Sequence, residues 1–140
     1  MKTPLRSIAV VGIAASSLVA ATVPAHAANL GNYVVRGTFM NKGDYLTRPF
    51  SGFSVQLIMQ SDGNLVLKAT NGHVCWAAGT QGRGYRAAYQ SDGNFVVYDS
   101  NGKAWWASNT VGVNTGTTVA VGSEGALYVG YKKIHDCSWQ

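Results

Sequence analysis

Gln90–Tyr98 reads QSDGNFVVY, and Gln60–Lys68 reads QSDGNLVLK 30 residues earlier. These two copies decide the fold that we predict for the chain. Gln, Asp and Asn fall at even spacing in each copy, and large apolar residues hold the odd positions after the glycine. This is the period of a strand with one polar and one buried face. The Asp-Gly pair predicts a hairpin turn, because glycine adopts positive φ without steric cost.

The hairpin loop can hold three residues or two. A three-residue loop, Ser61–Gly63, pairs Gln60 with Asn64 and places both on one face. A two-residue loop pairs Gln60 with Leu65 and divides the polar set between the faces. Periodicity fits both loops, and burial favours the three-residue loop because it leaves Leu65 and Leu67 facing a core.

The composition and the turn residues predict an all-β protein. Charged residues make up 12% of the sequence, and 17 glycines, seven tyrosines and four tryptophans suit short strands joined by tight turns. No segment after Tyr33 has a convincing helical period, and clusters of Gly, Asn, Asp and Ser separate the β-rich runs. The predicted strands are Tyr33–Arg36, Val55–Gln60, Asn64–Lys68, Arg86–Gln90, Asn94–Asp99, Thr117–Val121 and Ala126–Tyr131.

A third, eroded copy of the motif occupies Gly122–Gly130, 62 positions after the first copy. The same shift carries His73 onto His135 and Cys75 onto Cys137. Units of about thirty residues cannot each bury a core alone, so the three units are expected to pack around a shared axis.

Tryptophans recur with the same period. Trp76 and Trp106 are 30 residues apart, and Trp139 lies one residue late in the third copy. Burial preference predicts that these three side chains pack in the core near the axis. Trp105 is adjacent to Trp106, so strand alternation predicts that it points outward as an exposed or interface residue.

Residues 1–27 are predicted to be a secretory signal peptide, which makes residues 28–140 one exported, extracellular domain. Lys2 and Arg6 supply a positive start, an apolar run follows, and Ala25-His26-Ala27 supplies a small-x-small cleavage pattern. The apolar run is short and interrupted by polar residues, so no membrane insertion is expected.

The pattern Gln-x-Asp-x-Asn-x-Val-x-Tyr of Gln90–Tyr98, followed by Trp-Ala-Ser-Asn-Thr at Trp106–Thr110, resembles the bulb-type lectin domain of the snowdrop agglutinin type. These are the monocot mannose-binding lectins, and the resemblance covers nearly all of residues 28–140. It implies an all-β, β-prism II fold, in which three four-stranded subdomains surround a pseudo-threefold axis. It also implies a non-catalytic sugar site, independent of calcium, on each intact unit.

The resemblance assigns the intact sugar site to the second copy. It implies that Asp92 and Asn94 hold the 2-hydroxyl of an α-mannose. Gln90 then holds the 3-hydroxyl and Tyr98 the 4-hydroxyl, while Val96 meets the apolar face of the ring. A carboxylate only accepts hydrogen bonds whereas amides donate and accept, so together they read one arrangement of hydroxyls. The expected function is a secreted lectin without a cofactor, and its expected partners are mannose-containing glycans or glycoproteins.

The other two copies depart from the family pattern. In the first copy Lys68 replaces the tyrosine, and a flexible ammonium cannot reproduce a rigid phenol, so this site is expected to be weakened or altered in preference. In the third copy none of the five signature residues remains, and no sugar site is expected. The weakened site comprises Gln60, Asp62, Asn64, Val66 and Lys68, and the lost site Gly122, Glu124, Ala126, Tyr128 and Gly130.

Cys75 and Cys137 are the two cysteines of the sequence, and an exported pair usually forms a disulfide. Their equivalence under the repeat makes an encounter near the axis plausible. His73 and His135 each stand two residues before a cysteine, so a Cys2His2 zinc site and free thiols stay open as alternatives. The family's usual disulfide joins other positions, so the resemblance does not supply this pairing.

Other classes of function fit less well. Asp62 and Asp92 belong to turns of separate units, where a glycosidase pair of carboxylates about 5–10 Å apart would be a coincidence, so no enzyme is expected. Beyond the leader nine basic residues oppose six acidic ones, and this formal charge of +3 is too sparse for a nucleic-acid partner.

Two further readings stay open. The alternative function is a secreted protein-binding or inhibitory module on a degenerate lectin scaffold, since fold alone does not fix function. A homodimer is attractive because a chain with one intact site gains avidity from a second chain.

Overall fold

The computed structural model describes residues 27–112 and 115–137, and the regular elements in these ranges are all β-strands. The predicted leader, apart from Ala27, lies outside the described residues, and so does Trp139. Within the described ranges no helix is long and apolar enough to cross a membrane. The prediction of an all-β chain is confirmed.

Twelve short strands account for the regular structure of the described residues. Seven of them, β1, β4, β5, β7, β8, β10 and β11, match the strands predicted from sequence to within two residues at either end. The other five were not predicted; they are short or, in one case, contain a proline. The strands are β1 Tyr33–Val35, β2 Phe39–Asn41, β3 Tyr45–Phe50, β4 Phe53–Met59, β5 Leu65–Ala69, β6 Val74–Ala77, β7 Arg86–Tyr89, β8 Phe95–Tyr98, β9 Ala104–Ala107, β10 Thr118–Val121, β11 Leu127–Val129 and β12 Lys132–His135.

The strands form three four-stranded antiparallel sheets, as the β-prism II expectation requires. The first sheet is continuous in sequence, in the order β3-β4-β5-β6. The second has the order β2-β7-β8-β9 and the third β1-β10-β11-β12. The two N-terminal strands are therefore far in sequence from the rest of their sheets: β1 completes the third sheet and β2 completes the second. The next four strands, β3 to β6, form the first sheet.

The three motif copies form hairpins with three-residue loops. The Gln60 amide donates to the Asn64 carbonyl at 2.9 Å, and the Gly63 amide donates to the Gln60 carbonyl at 3.0 Å. The second and third copies have the same pair of bonds at Gln90 and Gly122. The three-residue alternative is therefore confirmed, with Gly63 at a φ of 90°. This loop length sets which face of the strand the polar residues occupy.

Alternation along each strand divides core from surface. In β4, Val55, Leu57 and Met59 are fully buried, while Gln56 and Ile58 between them are partly exposed on the outer face. The burial of each such aliphatic side chain stabilises the folded state by roughly 1.5–3 kcal/mol. The inner faces of all three sheets supply one shared core.

Two tryptophans meet against this core. The rings of Trp76 and Trp106 lie 5.2 Å apart, edge to face, and Trp106 also contacts the ring of the buried Phe95 at 6.2 Å. Both indoles are partly buried and pack against the core cluster. The prediction that these two residues belong to the core is confirmed.

Trp105 is exposed, as expected, but strand alternation is not the reason. The pairing of β8 with β9 shifts register between Val97 and Tyr98, which makes Trp105 the extra residue of a β-bulge. A bulge breaks the period of two, so alternation does not fix the direction of this side chain. Trp105 is 37% exposed, and the charged ends of Arg83 and Lys103 each lie 4.5 Å from the centre of its ring.

The 62-residue overlay of the third copy on the first holds at the hairpin and fails after it. The turn between β11 and β12 is the two-residue Gly130–Tyr131, since Val129 pairs with Lys132. The matching turn of the first unit is longer. As a result His135 pairs with Leu127, the first residue of β11. His73 lies instead at the other end of its hairpin, where its carbonyl accepts the amide of Ala69, the last residue of β5. The predicted equivalence of the two histidines is therefore wrong.

A disulfide joins Cys75 of β6 to Cys137, which follows β12, with the two Cα atoms 4.8 Å apart. It closes a separation of 62 residues and connects the first unit to the third. The predicted pairing is confirmed within one chain, although the repeat equivalence used to support it does not hold. Because both thiols are consumed, the zinc alternative is wrong, and the described residues contain no metal-binding group of three ligands. A cross-link over this length restricts the unfolded chain and contributes about 2–4 kcal/mol.

Candidate functional site

The second motif copy places its signature side chains on the outer face of the hairpin β7–β8. Phe95 and Val97 of β8 point into the core and are fully buried. Asn94, Val96 and Tyr98 alternate with them and therefore lie on the opposite face.

Asp92 lies at the exposed tip of this hairpin and is held by two neighbours. Its Oδ1 accepts the backbone amide of Asn94 at 2.9 Å, and the Gln90 side-chain amide donates to both carboxylate oxygens at 3.2–3.3 Å. These two interactions, together with the positive charge of Arg36, hold the pKa of Asp92 below its ordinary value. The carboxylate is thus ionised and oriented, with lone pairs left to accept hydrogen bonds from a ligand.

Tyr98 completes a chain of side-chain hydrogen bonds across the site. Its hydroxyl donates a short hydrogen bond to Gln90 Oε1, and Gln90 Nε2 in turn donates to Asp92. Gln90 is therefore fixed from both ends, which leaves one amide hydrogen for a ligand. The phenol oxygen keeps its acceptor capacity, because its own proton is committed to Gln90.

Asn94 presents an amide nitrogen to the outer surface. Its Oδ1 accepts the hydroxyl of Ser108 at 3.2 Å and the backbone amide of Thr110 at 3.3 Å. Because the oxygen is engaged from behind, both Nδ2 hydrogens are available as donors. The site therefore combines an acceptor, Asp92, with donors from Gln90 and Asn94.

Ser108 and Thr110 are residues whose role the sequence did not reveal. Both are buried, and their hydroxyls lie 2.7 Å apart. The Ser108 hydroxyl accepts the amide of Phe95 at 2.9 Å, and the Thr110 hydroxyl donates to the carbonyl of Gly93 at 2.6 Å. The available signal was the Trp-Ala-Ser-Asn-Thr element, whose counterpart in the first copy is Trp-Ala-Ala-Gly-Thr. Its function is to brace the hairpin that carries the site.

Arg36 braces the same hairpin from the third unit. Its guanidinium donates to the carbonyl of Ser91 at 3.0 Å and to the carbonyl of Gly116 at 2.7 Å. It also donates to the Thr115 hydroxyl at 3.1 Å. This tether places a positive charge near Asp92, and nothing in the local sequence around Arg36 indicated it.

The first motif copy has the same backbone scaffold. Asn64 Oδ1 accepts the amides of Gly79 at 3.1 Å and Thr80 at 3.0 Å, and Asp62 Oδ1 accepts the amide of Asn64 at 2.9 Å. The Thr80 hydroxyl donates to the carbonyl of Gly63 at 2.7 Å. Asp62 and Asn64 are therefore oriented like their counterparts in the second copy.

The first copy differs in the residue that would hold Gln60. Lys68 stands where the second copy has a tyrosine, and among the described residues no side-chain hydrogen bond fixes the Gln60 amide. An open cleft of about 570 Å3 borders this site, lined by Gln60, Asp62 and Lys68 together with Tyr45 and Gln56. The site retains its acceptor and donor but lacks the hydrogen-bonded chain that orders the second one.

The two signature valines are nearly covered. Val66 is 4% exposed and Val96 is 3% exposed, although both lie on the outer face. Any contact with a ligand ring at these positions is therefore limited to a small patch of methyl surface.

The third copy keeps the hairpin without the polar set. Ala126 is fully buried and cannot replace an amide donor. A Cβ atom added to Gly122 would lie 2.6 Å from Glu124 Oε1 and 2.9 Å from Tyr128 Cε2, so the place of the glutamine is already filled by these two side chains.

Comparison with known proteins identifies structural relatives. No protein-family model and no curated protein matches the chain. Among solved structures, a garlic (Allium sativum) lectin is 30% identical, with a TM-score of 0.58 over 78% of this chain and 98% of its own. The mannose-specific snowdrop (Galanthus nivalis) agglutinin, solved with methyl-α-D-mannoside, is 30% identical, with a TM-score of 0.58 over 78% and 94%. The mannose-specific bluebell (Scilla campanulata) lectin is 25% identical, with a TM-score of 0.62 over 78% and 95%.

Proposed function

Because the chain belongs to the family of bulb-type mannose-binding lectins, we propose that it binds α-D-mannose-type glycans without a metal ion, mainly through the Gln90–Tyr98 site. Lectins bind carbohydrate and do not catalyse reactions, so the chain is a binding protein and not an enzyme.

The ordered hydrogen-bond chain from Tyr98 through Gln90 to Asp92 carries this proposal. It presents a carboxylate acceptor beside amide donors at fixed positions, with a phenol at the far end. Mannose has an axial 2-hydroxyl beside equatorial 3- and 4-hydroxyls, and each hydroxyl can donate and accept. A hydroxyl that donates to Asp92 and accepts from Asn94 satisfies both groups at once, and a charged acceptor makes the stronger bond.

The donor set favours binding without a metal. Each site offers one carboxylate, and its remaining groups are amides and a phenol or an ammonium. Calcium requires six to eight oxygen ligands, usually including several carboxylates. Direct hydrogen bonds to the sugar are the better use of these residues.

The expected affinity is weak for a single sugar. A net contribution of about 0.5–1.5 kcal/mol for each hydrogen bond, on a shallow surface, corresponds to a Kd in the millimolar range. Useful affinity then requires several sites on one glycan, from the two motif copies or from a homodimer.

The site of action is proposed from the sequence. The positive start, apolar run and cleavage pattern of residues 1–27 support export, and an exported lectin would meet glycans outside the cell. An intrachain disulfide is common in exported proteins and supports the same proposal.

Calorimetric titration of residues 28–140 with methyl α-mannoside, in the presence of EDTA, tests the function. Asp92→Ala is expected to abolish most of the heat, since it removes the charged acceptor of the ordered site. Glu124→Ala is the matched control, because it removes a carboxylate from the same position of the third hairpin and should leave binding unchanged. Asp62→Ala measures how much of the binding heat comes from the first copy.

The outcomes are distinguishable. Saturable heat in EDTA that Asp92→Ala removes and Glu124→Ala preserves supports a metal-free mannose lectin. The absence of heat at sugar concentrations of about 20 mM, well above the expected Kd, would contradict the mannose assignment. The protein-binding module on a lectin scaffold would then be the better explanation.

A further inference from the structure

The ordered site has a cation at its far end. Arg86 of β7 lies directly opposite Tyr98 of β8, so the two side chains share the outer face of the sheet. The Arg86 guanidinium stacks on the ring of Phe39 in β2, 4.4 Å from its centre. Arg86 and Phe39 are both exposed. A cation, Arg86, therefore lies next to the hydroxyl-binding groups, and the ring of Phe39 holds it in place.

The first site has its cation on the same rung but on the other strand. There Gln56 of β4 lies opposite Lys68 of β5. Gln56 corresponds to Arg86, and Lys68 corresponds to Tyr98. Each of the two sites therefore combines one cation with one neutral polar residue on this rung. The cation is on the first strand of the hairpin in the second site and on the second strand in the first site.

The third unit provides an internal comparison. The corresponding rung pairs Thr118 with Gly130, whose amide donates to the Thr118 carbonyl at 2.7 Å. This rung has no cation, and the same unit has lost the Gln, Asp and Asn set. Within this molecule the cation accompanies the two copies that retain the hydroxyl-binding residues.

Neither cation is neutralised by a carboxylate among the described residues. The ion pair found among the described residues joins Lys133 to Asp136. Arg86 and Lys68 therefore have no carboxylate within ion-pair distance in that part of the chain. The Gln90–Tyr98 site has another cation nearby besides Arg86. Lys42 lies over the ring of Tyr85, whose backbone amide donates to the Tyr98 carbonyl. The surface beyond Tyr98 is positive and aromatic.

We propose that the Gln90–Tyr98 site binds mannose-type residues that carry an anionic group, a phosphate or a carboxylate, beside the Tyr98–Arg86 rung. This inference rests on the proposed function and names the substrate class more narrowly. The resemblance assigns the 4-hydroxyl to Tyr98, and the exocyclic C6, which is attached to the neighbouring C5, is where an anion would reach the rung. A guanidinium matches phosphate or carboxylate with two parallel hydrogen bonds, and stacking on Phe39 reduces the freedom that it loses on binding. The natural ligand is then an acidic glycan.

The test compares three glycosides by calorimetry. Methyl α-mannoside is the neutral reference, methyl α-mannoside 6-phosphate carries the phosphate, and methyl α-mannuronoside carries a carboxylate at C6. The Asp62→Ala background confines the signal to the second site. Because Arg86 is exposed, we expect the anionic sugars to bind about two- to five-fold more tightly than the neutral one at low salt. This ratio should shrink towards one at about 1 M NaCl, where the screening length is about 3 Å.

Variants assign the preference to a residue. Arg86→Gln should reduce the ratio to about one, whereas Lys103→Gln, which removes an exposed cation just before β9 and off this rung, should preserve it. A ratio of one in the parent protein, with normal heat from the neutral mannoside, would overturn this inference and leave the proposed function standing. A preference that survives Arg86→Gln would also overturn it. If none of the three sugars binds, the proposed function fails and the inference with it.

Discussion

The backbone amide of Thr110 donates a hydrogen bond to the side-chain oxygen of Asn94 at 3.3 Å, and Thr80 makes the same bond to Asn64 at 3.0 Å. This relationship joins the segment after the last strand of a unit to the hairpin that carries its site. It determines that the asparagine offers nitrogen, and not oxygen, to a ligand. Binding chemistry and stability are therefore coupled at these threonines.

Thr110→Val is expected to lower the free energy of unfolding by about 1–3 kcal/mol, because it leaves the buried Gly93 carbonyl without the hydroxyl that now donates to it. Thr70→Val is the matched control. Its hydroxyl accepts the Ser54 amide at an exposed position, where water can replace it, so its loss should cost under about 1 kcal/mol. Urea unfolding followed by tryptophan fluorescence measures both values, and equal losses would contradict the bracing role of Thr110.

Tyr98→Phe is expected to weaken binding of methyl α-mannoside about five- to ten-fold, since Gln90 loses the hydrogen bond that orients it and the sugar loses an acceptor. Tyr131→Phe removes a hydroxyl from a side chain that is 81% exposed and should leave the affinity unchanged. Titration of both variants against the parent protein measures the difference. An affinity for Tyr98→Phe equal to that of the parent would show that the ordered chain does not matter for binding.

Lys68→Tyr is expected to convert the first copy into a second ordered site. The hydroxyl would reach the Gln60 amide as Tyr98 reaches Gln90, while Asp62 and Asn64 are already oriented. The number of equivalent sites measured by titration should then rise to two for each chain. A stoichiometry that does not change would mean that the phenol alone does not order this site.

Sugar binding should persist well into acid. Hydrogen bonds from the Asn94 backbone amide and the Gln90 side chain, with Arg36 nearby, hold the pKa of Asp92 below its ordinary 3.8. The ionised form is the acceptor, and a depressed pKa means that its contribution is complete at neutral pH and is lost only as the pH falls through the lowered value. The affinity for methyl α-mannoside should be level from pH 7 to about 4 and decline below 3.8. A midpoint near pH 6, with circular dichroism unchanged, would point to a different titrating group.

Gly63→Ala and Gly37→Ala separate backbone strain from packing. Both glycines have a φ of 90°, so each alanine pays a similar strain of about 1–3 kcal/mol. A Cβ at Gly63 would lie 2.6 Å from the Gly84 carbonyl oxygen, whereas nothing lies within 4 Å of one at Gly37. Gly63→Ala should therefore lower the melting temperature clearly more than Gly37→Ala. Equal melting temperatures would show that the first two units do not need this close approach.

Local chemistry allowed much of this fold to be predicted from sequence. The position of the hairpins followed from Asp-Gly and their loop length from the burial of Leu65 and Leu67, and both act within a few residues. The alternation placed Asn94 and Tyr98 on one face for the same reason. These features depend on neighbours along the chain, which a single sequence displays.

Contacts between distant segments could not be predicted. Nothing near Arg36 in sequence shows that it tethers the hairpin of Ser91 to the third unit. The bulge at Trp105 leaves no signal in the alternation of polar and apolar residues. The two-residue turn Gly130–Tyr131 shortens the third unit, so equivalences counted along the sequence fail beyond that turn, as they do for His135.

Val34 of β1 pairs with Val119 of β10, so the first strand of the chain is laid beside one of the last. This arrangement has a consequence in time. Until residues 118–121 are available, the N-terminal strand has no partner, and long-range pairing of this kind slows folding. A chain that stops before Thr118 would contain both complete copies of the binding motif, but it would lack β10, β11 and β12 and could not form the third sheet.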